Sequence, residues 1–249
     1  MNAGDLVAAL DLPSRARVDQ RVPKKLLLEN GAPTAADKLR INEGIEECLW
    51  LAALKPTTIG VPEYRDDVRE YLEIAVLRLA LRPGAKTGRL VELVHRAIPY
   101  PALLVAECDG ACDLSAAHKR WSQGEAGQTV LDGPVIGTEG EVGDLWPAFR
   151  EALALGRQPR SSMLALYQGW IDTLLALQAA RVTDSFSVPT TREQAEARAE
   201  GLREYVRLGA EIDRLRAAAE REVQTPRLVD LNLAIKRLQA AQAEALLKL

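Results

Sequence analysis

The chain has 249 residues, 47% hydrophobic and 27% charged, with 17 glycines and 13 prolines, which excludes a disordered or fibrous protein and suits a globular domain with a helical appendage. Lys plus Arg (32) nearly balances Asp plus Glu (35), so the net charge of -3 gives no global signal for nucleic acid or an anionic membrane and leaves only local patches. Aromatic residues are 4% of the chain while Ala and Leu abound, which favours helix packing over a β-sandwich.

In chain order, residues 13 to 25 are the most basic segment, with Arg15, Arg17, Arg21, Lys24 and Lys25 against the single acid Asp19. Thr34-Ala-Ala-Asp37 reads as a capping box, and Ile41, Ile45, Cys48, Leu49 and Ala52 follow at helical spacing, predicting a helix from about 35 to 48. Pro56 and Pro62 bracket a short β-prone piece, Thr57 to Val61. The apolar run Tyr71 to Leu81, ended by Arg82-Pro83-Gly84, predicts a buried strand.

Leu90, Val91, Val94, Ala97 and Ile98 mark the face of a helix that Pro99-Tyr100-Pro101 stops. Ala102 to Glu107 then predicts a core strand, Asp109-Gly110 a hairpin turn, and Cys112 to His118 the return strand. A further strand pair is expected near Thr129–Leu131 and Val135–Ile136. Beyond about residue 140 strand signals almost vanish. Asp144-Leu-Trp-Pro147 predicts a capped helix start, Ser161 or Ser162 a cap for the next helix, and Thr183 to Pro189 a linker.

From Thr190 the tail alternates seven arginines and eight acids between 192 and 222, with an apolar seam at Leu208, Ile212, Leu215 and Ala219. After Gln224, Thr225 is expected to cap a second helix with Pro226 at its first position; its seam, Leu228, Leu231, Ile235, Leu238, Gln242, Ala245 and Leu249, repeats at alternate steps of three and four. The short break predicts an antiparallel hairpin. The expected fold is α+β: a body over residues 1–140 with a largely antiparallel sheet, a helical extension over 141–183 packed on it, and a coiled-coil-like hairpin over 190–249.

Most catalytic signatures are missing. His95 and His118 lie 23 residues apart and cannot form a zinc helix, and CxxC, GxGxxG and GxSxG do not occur. Gly84-Ala-Lys-Thr87 lacks the glycines of a phosphate loop, whose positions hold Ala80 and Ala85. Cys108 and Cys112 flank a turn with Glu107, Asp109 and Asp113, but no second cysteine pair completes a metal site, so two ordinary thiols are the better reading. No cofactor or metal is expected.

His118, between strand and Lys119-Arg120, is the one weak catalytic candidate, since neighbouring cations favour a neutral imidazole suited to a general base. A solvated strand end is the commoner reading. With Arg15, Arg17, Arg21, Lys24 and Lys25, Lys119 and Arg120 compose a candidate phosphate-contacting strip. Leu208, Ile212, Leu215, Leu231, Ile235 and Leu238 are candidate partner contacts, although packing within the hairpin uses the same seam equally well.

The ordered motifs Arg21-Val-Pro-Lys-Lys25, Thr34 to Lys38, Lys55-Pro-Thr-Thr-Ile59, His95-Arg-Ala-Ile-Pro-Tyr-Pro101 and His118-Lys-Arg120 are those of a bacterial family, domain of unknown function 4391, which this chain resembles along nearly its whole length. The tail's Gln224, Leu231-Asn232 and Ile235-Lys236 are similar to that family's closing pattern. The resemblance implies a setting beside DNA methyltransferases and helicases in restriction-like or phage-defence islands, and brings no catalytic residue set.

The expectation is therefore a cytoplasmic, non-enzymatic interaction subunit whose hairpin contacts a protein partner, such as a DNA methyltransferase or helicase encoded nearby, or a second copy. The alternative is a nucleic-acid-binding or nucleic-acid-processing protein using His118-Lys119-Arg120 and the basic segment. A small-molecule or nucleotide-derived signal binder is a third reading. No membrane partner is expected, because the longest apolar stretch, Met163 to Val182, is interrupted by Gln168, Asp172, Gln178 and Arg181.

Overall fold

A computed structural model describes residues 2–125 and 127–249. The chain forms two compact units, Met1–Leu174 and Leu175–Leu249, and the division between them falls inside a helix. The elements of the first unit are α1 (Ala3–Ala9), β1 (Arg17–Arg21), α2 (Lys24–Gly31), α3 (Ala35–Gly44), β2 (Ile45–Leu54), α4 (Pro56–Ile59), β3 (Tyr64–Arg65), β4 (Glu70–Tyr71), β5 (Ile74–Leu81), α5 (Thr87–Ala97), β6 (Ala102–Cys108), β7 (Ala111–Ala116), β8 (Lys119–Trp121), β9 (Thr129–Leu131), β10 (Ile136–Gly137) and α6 (Trp146–Leu153). The helix α7 (Met163–Thr183) crosses into the second unit, which holds α8 (Arg192–Ala219) and α9 (Thr225–Leu246).

The fold is α+β. Its main sheet has the order β1-β2-β5-β6-β7-β10, antiparallel except where α5 carries the chain from β5 to its parallel neighbour β6. One face buries Leu77, Leu79, Leu104 and Ala106 with Leu27 of α2, Ile41 of α3 and Leu90, Leu93 and Val94 of α5. The opposite parity, Val76, Leu103 and Val105, is equally buried, and α1 packs against β6 and β7. Continuous apolar runs at β5 and β6 are what a sheet covered on both faces requires.

The helix expected to reach 48 ends at Gly44, and Ile45, Cys48, Leu49 and Ala52 belong to β2. A register shift between Ile45 and Glu47 explains the misreading. This bulge inserts an extra residue, so Ile45 and Cys48 join the same core three positions apart and mimic helical spacing. Gly44 also meets Leu90 closely, since an added Cβ would lie 2.6 Å from Leu90 Cδ1.

Thr57 to Val61 is not extended: Pro56 starts the single turn α4, Thr58 Oγ1 accepts from Lys55 N at 2.8 Å, and Gly60 ends it in the left-handed region at φ 68°. The strands near 129 and 136 exist but do not pair with each other; β9 joins β8, and β10 joins β7. Asp144 does not cap α6, whose N-cap is Leu145, whereas Ser162 Oγ accepts from Ala165 N at 3.1 Å at the start of α7. Thr225 is the first residue of α9 and not its cap.

In the second unit α8 opens on a reciprocal Thr191–Gln194 capping box. It pairs antiparallel with α9, as bonds from Gln242 Nε2 to Tyr205 O (3.2 Å) and from Arg198 Nε to Leu249 O (3.0 Å) fix. Among the described residues no helix is long and apolar enough to cross a membrane.

Candidate functional site

The motif residues His95, Pro99, His118 and Lys119 converge where α5 ends and β7 passes into β8. Helical geometry would offer the His95 carbonyl the N–H of residue 99, but Pro99 has none. The Lys119 ammonium donates to that carbonyl instead, supplying a cation at the negative end of α5. Lys119 is 1% exposed, and burial, with Arg96 nearby, pulls its amine down to about 8.

Beside it, Ser115 Oγ donates to Leu104 O (3.4 Å) and accepts from His95 Nε2–H (3.0 Å). His95 Nδ1 is then a buried lone pair without a partner. Complete burial and the Lys119 charge push this imidazole down to about 3, so it is neutral.

His118 occupies an ordered chain of donors. Gln168 Nε2 donates to the Asp172 carboxylate (2.9 Å), which turns Gln168 Oε1 toward His118 Nε2–H (2.8 Å). Its Nδ1 accepts from Tyr71 O–H (2.6 Å), and Tyr71 Oη accepts from Lys119 N (3.3 Å). The tautomer is thus set by the carboxylate at the far end of the chain. Burial is the largest cause lowering the His118 basicity; Arg69 adds to it while the Gln168 bond and Asp132 oppose it. Both ring nitrogens are committed, and the expected influence of adjacent cations is secondary to burial.

Tyr167 closes the cluster: its hydroxyl accepts from Ala117 N (2.9 Å) and lies 2.8 Å from Ala102 O and 3.1 Å from Ala117 O, clamping the neighbouring strands. No spacing in the sequence links Tyr71, Ser115, Tyr167 and Gln168 to the two histidines. Only the distance between β4, β7 and α7 in the folded chain makes them partners.

The expected phosphate-contacting strip does not form as a unit. Lys119 is sealed from solvent, which removes it from any surface role. Arg120 faces Asp132 (3.7 Å) and donates to Trp121 O (3.1 Å), while Arg69 bonds the same Asp132 through Nε at 2.9 Å. In the basic segment Arg15 bonds Thr58 O, Arg17 meets Asp19 (3.9 Å), Arg21 meets Glu47 (3.9 Å) and Lys25 meets Glu29 (3.7 Å). These exposed pairs are worth little each.

At the β6–β7 tip the oxygen and sulfur groups are engaged locally. Glu107 pairs with Arg78, Asp109 accepts from Gly84 N (3.0 Å), and Asp113 accepts from Thr138 Oγ1 (3.1 Å) and Gly140 N (2.9 Å). Cys112 is buried and its thiol is pushed up to about 12, which keeps it protonated. Among the described residues no group of three His, Cys, Asp or Glu is placed to hold a metal.

Of the candidate partner contacts, Leu208, Ile212 and Ile235 are buried and Leu215, Leu231 and Leu238 half-buried, all on the helix faces that the hairpin pairs. A second stripe runs along α9 to its C-cap residue Leu247: Val229, Leu233, Lys236, Ala240, Ala243 and Leu247 repeat at steps of 4, 3, 4, 3 and 4, and all six are exposed. The heptad was legible, but the inner seam, richer in leucine, masked it.

The first unit is thus an α+β body with a polar cluster around two histidines, and the second carries a helical hairpin with an outward heptad stripe. The family model described as domain of unknown function 4391 matches residues 10–241, and the chain belongs to that family. Comparison with curated proteins and with solved structures finds no match.

Proposed function

We propose that this chain is a non-enzymatic accessory subunit of a bacterial DNA-modification, restriction-like or phage-defence system, with the α8–α9 hairpin as its contact to a protein partner. The observation that carries the reading is the outward stripe of α9. An exposed heptad opposite an already occupied seam suits a second helix, and helix-on-helix contact is a common mode of protein recognition. The commitment of both His118 nitrogens to Tyr71 and Gln168 supports a structural over a catalytic role for that residue. The setting beside DNA methyltransferases and helicases rests on what membership of the family implies.

Purification of the chain from a native-like operon tests the reading, comparing wild type with Val229→Asp plus Leu233→Asp. These exposed positions leave the inner seam intact, so the variant is expected to keep its helicity and lose a co-purifying methyltransferase or helicase at least tenfold. Unchanged partners on a folded variant would remove the hairpin from the proposal.

A further inference from the structure

A cation cluster distinct from the histidine site lies within the first unit. Lys24 Nζ and Arg82 Nη1 converge on one oxygen, Asn42 O, at 3.3 and 3.5 Å, and Arg82 Nη1 also reaches Glu43 O at 3.1 Å. Both cations therefore sit at the C-terminal end of α3, whose carbonyls carry only about half an elementary charge. Two whole charges on that end leave it positive. Among the described residues neither side chain forms an ion pair with a carboxylate, in contrast to Arg17, Arg21 and Lys25 of the same basic segment.

The electrostatic cost of this crowding is visible in Lys24, whose amine is held below its usual range by partial burial first and then by Arg82 and Arg21, with Glu46 opposing. Only one nitrogen of the Arg82 guanidinium is used. Among the described residues its Nε and Nη2 have no acceptor, which leaves open the fork that grips a phosphate through two parallel bonds.

That fork borders a cavity of about 320 Å³ in which Arg82 meets Lys86, Arg40, Gly84 and the single acid Glu43. Arg40 is already tied to Asp37 at 3.0 Å, so Arg82 and Lys86 are the cations the cavity has to offer. Glu43 forms an ion pair with neither of them, and a phosphate monoester, bearing about -1.5 to -2 at neutral pH, gives each cation a charged oxygen, which a singly charged carboxylate or diester does less well. We infer that this cavity, with Arg82 and Lys86 on its wall and Lys24 behind them, is an anion site that takes the phosphate monoester group of a small molecule. The site does not depend on the hairpin, and its fate leaves the partner reading untouched.

The test titrates the full chain at low ionic strength with inorganic phosphate, with adenosine 5′-monophosphate, and with a blunt DNA duplex lacking terminal phosphates, following the backbone amide signals of Gly84, Ala85 and Lys86 by NMR. Saturable shifts with phosphate and the monophosphate are expected, weakened at least tenfold by Arg82→Gln and several-fold by Lys86→Gln, and unchanged by Lys25→Gln. Arg82→Gln also removes a contact to α3; Lys86→Gln removes none and keeps the test decisive if the first variant unfolds. Absence of saturation with both small anions, equal loss in the Lys25 variant, or tighter binding of the duplex would each overturn the assignment.

Discussion

Lys119 is a charge with almost no water around it, and its chemistry follows from Pro99. A helix end that lacks one N–H needs a donor for its carbonyl, and the lysine provides it at the cost of desolvating an ammonium. Its amine is pulled from 10.5 to about 8, so between those values the unfolded chain holds more protons than the folded one. Stability contributed by this residue therefore rises with pH across that window, by roughly 3 kcal/mol, and the full penalty persists below it. Lys119→Met removes the charge but leaves the His95 carbonyl bare, a loss of about 1–3 kcal/mol that does not vary with pH. The two terms nearly cancel at pH 7. Urea unfolding should give wild type and variant similar midpoints there, with wild type gaining a lead of about 2–3 kcal/mol by pH 10.5. Parallel pH profiles would rule out a buried ammonium. The same residue shows what the sequence could convey about the site. His95, Pro99, His118 and Lys119 stand out as motif residues, yet their meeting is a packing event, and burial takes Lys119 from the surface that its neighbour Arg120 suggests.

Elements were legible where one physical signal dominated. The helix α5 shows an apolar face and a proline stop, and β5, β6 and β7 combine unbroken apolar runs with an Asp-Gly turn. They fold as their periods dictate. β1 gave no such signal because it is an edge strand with one half-buried residue, and β2 gave a false one because its bulge imitates a helix. The approach of α2 to α5 was equally invisible, for it turns on a glycine. A Cβ on Gly31 would lie 2.5 Å from Leu93 O and 2.8 Å from Ala97 Cβ, and the first of these is backbone that cannot swing aside. Gly31→Ala must push the two helices apart over Leu27 and Val94, and overpacking of this kind costs about 1–3 kcal/mol. The substitution would otherwise favour a helix by about 1 kcal/mol. A urea midpoint that falls in the variant identifies close helix packing as the reason for the glycine; one that rises shows that the contact yields.

At the scale of the whole molecule, near-neutral charge conceals two kinds of construction. Strands run from Arg17 to Gly137, and every regular element described after them is a helix, the change the sequence places near residue 140. In the sheet, β5 and β6 bury both parities: Ala75, Val76, Leu77, Leu103, Leu104 and Val105 are all at 0% exposure. The hairpin has one inner seam, half-buried at Leu215, Leu231 and Leu238, while Val206 and Val223 remain 67% and 91% exposed. Its charges stabilise it only weakly, since pairs such as Arg207–Glu204 and Arg214–Glu211 lie in solvent at helical i,i+3 spacing. Local opening free energy follows buried apolar contact, so the two constructions should open at different levels. Native-state amide exchange is expected to protect β5 and β6 at least about 100-fold more than α8 and α9 at matched pH and temperature. In the role proposed for it, a hairpin that opens in this way would adjust its outer stripe to a partner's helix while the sheet holds its form. Equal protection in both regions would mean that the hairpin opens only when the sheet does, and would favour a rigid prebuilt contact over an adaptable one.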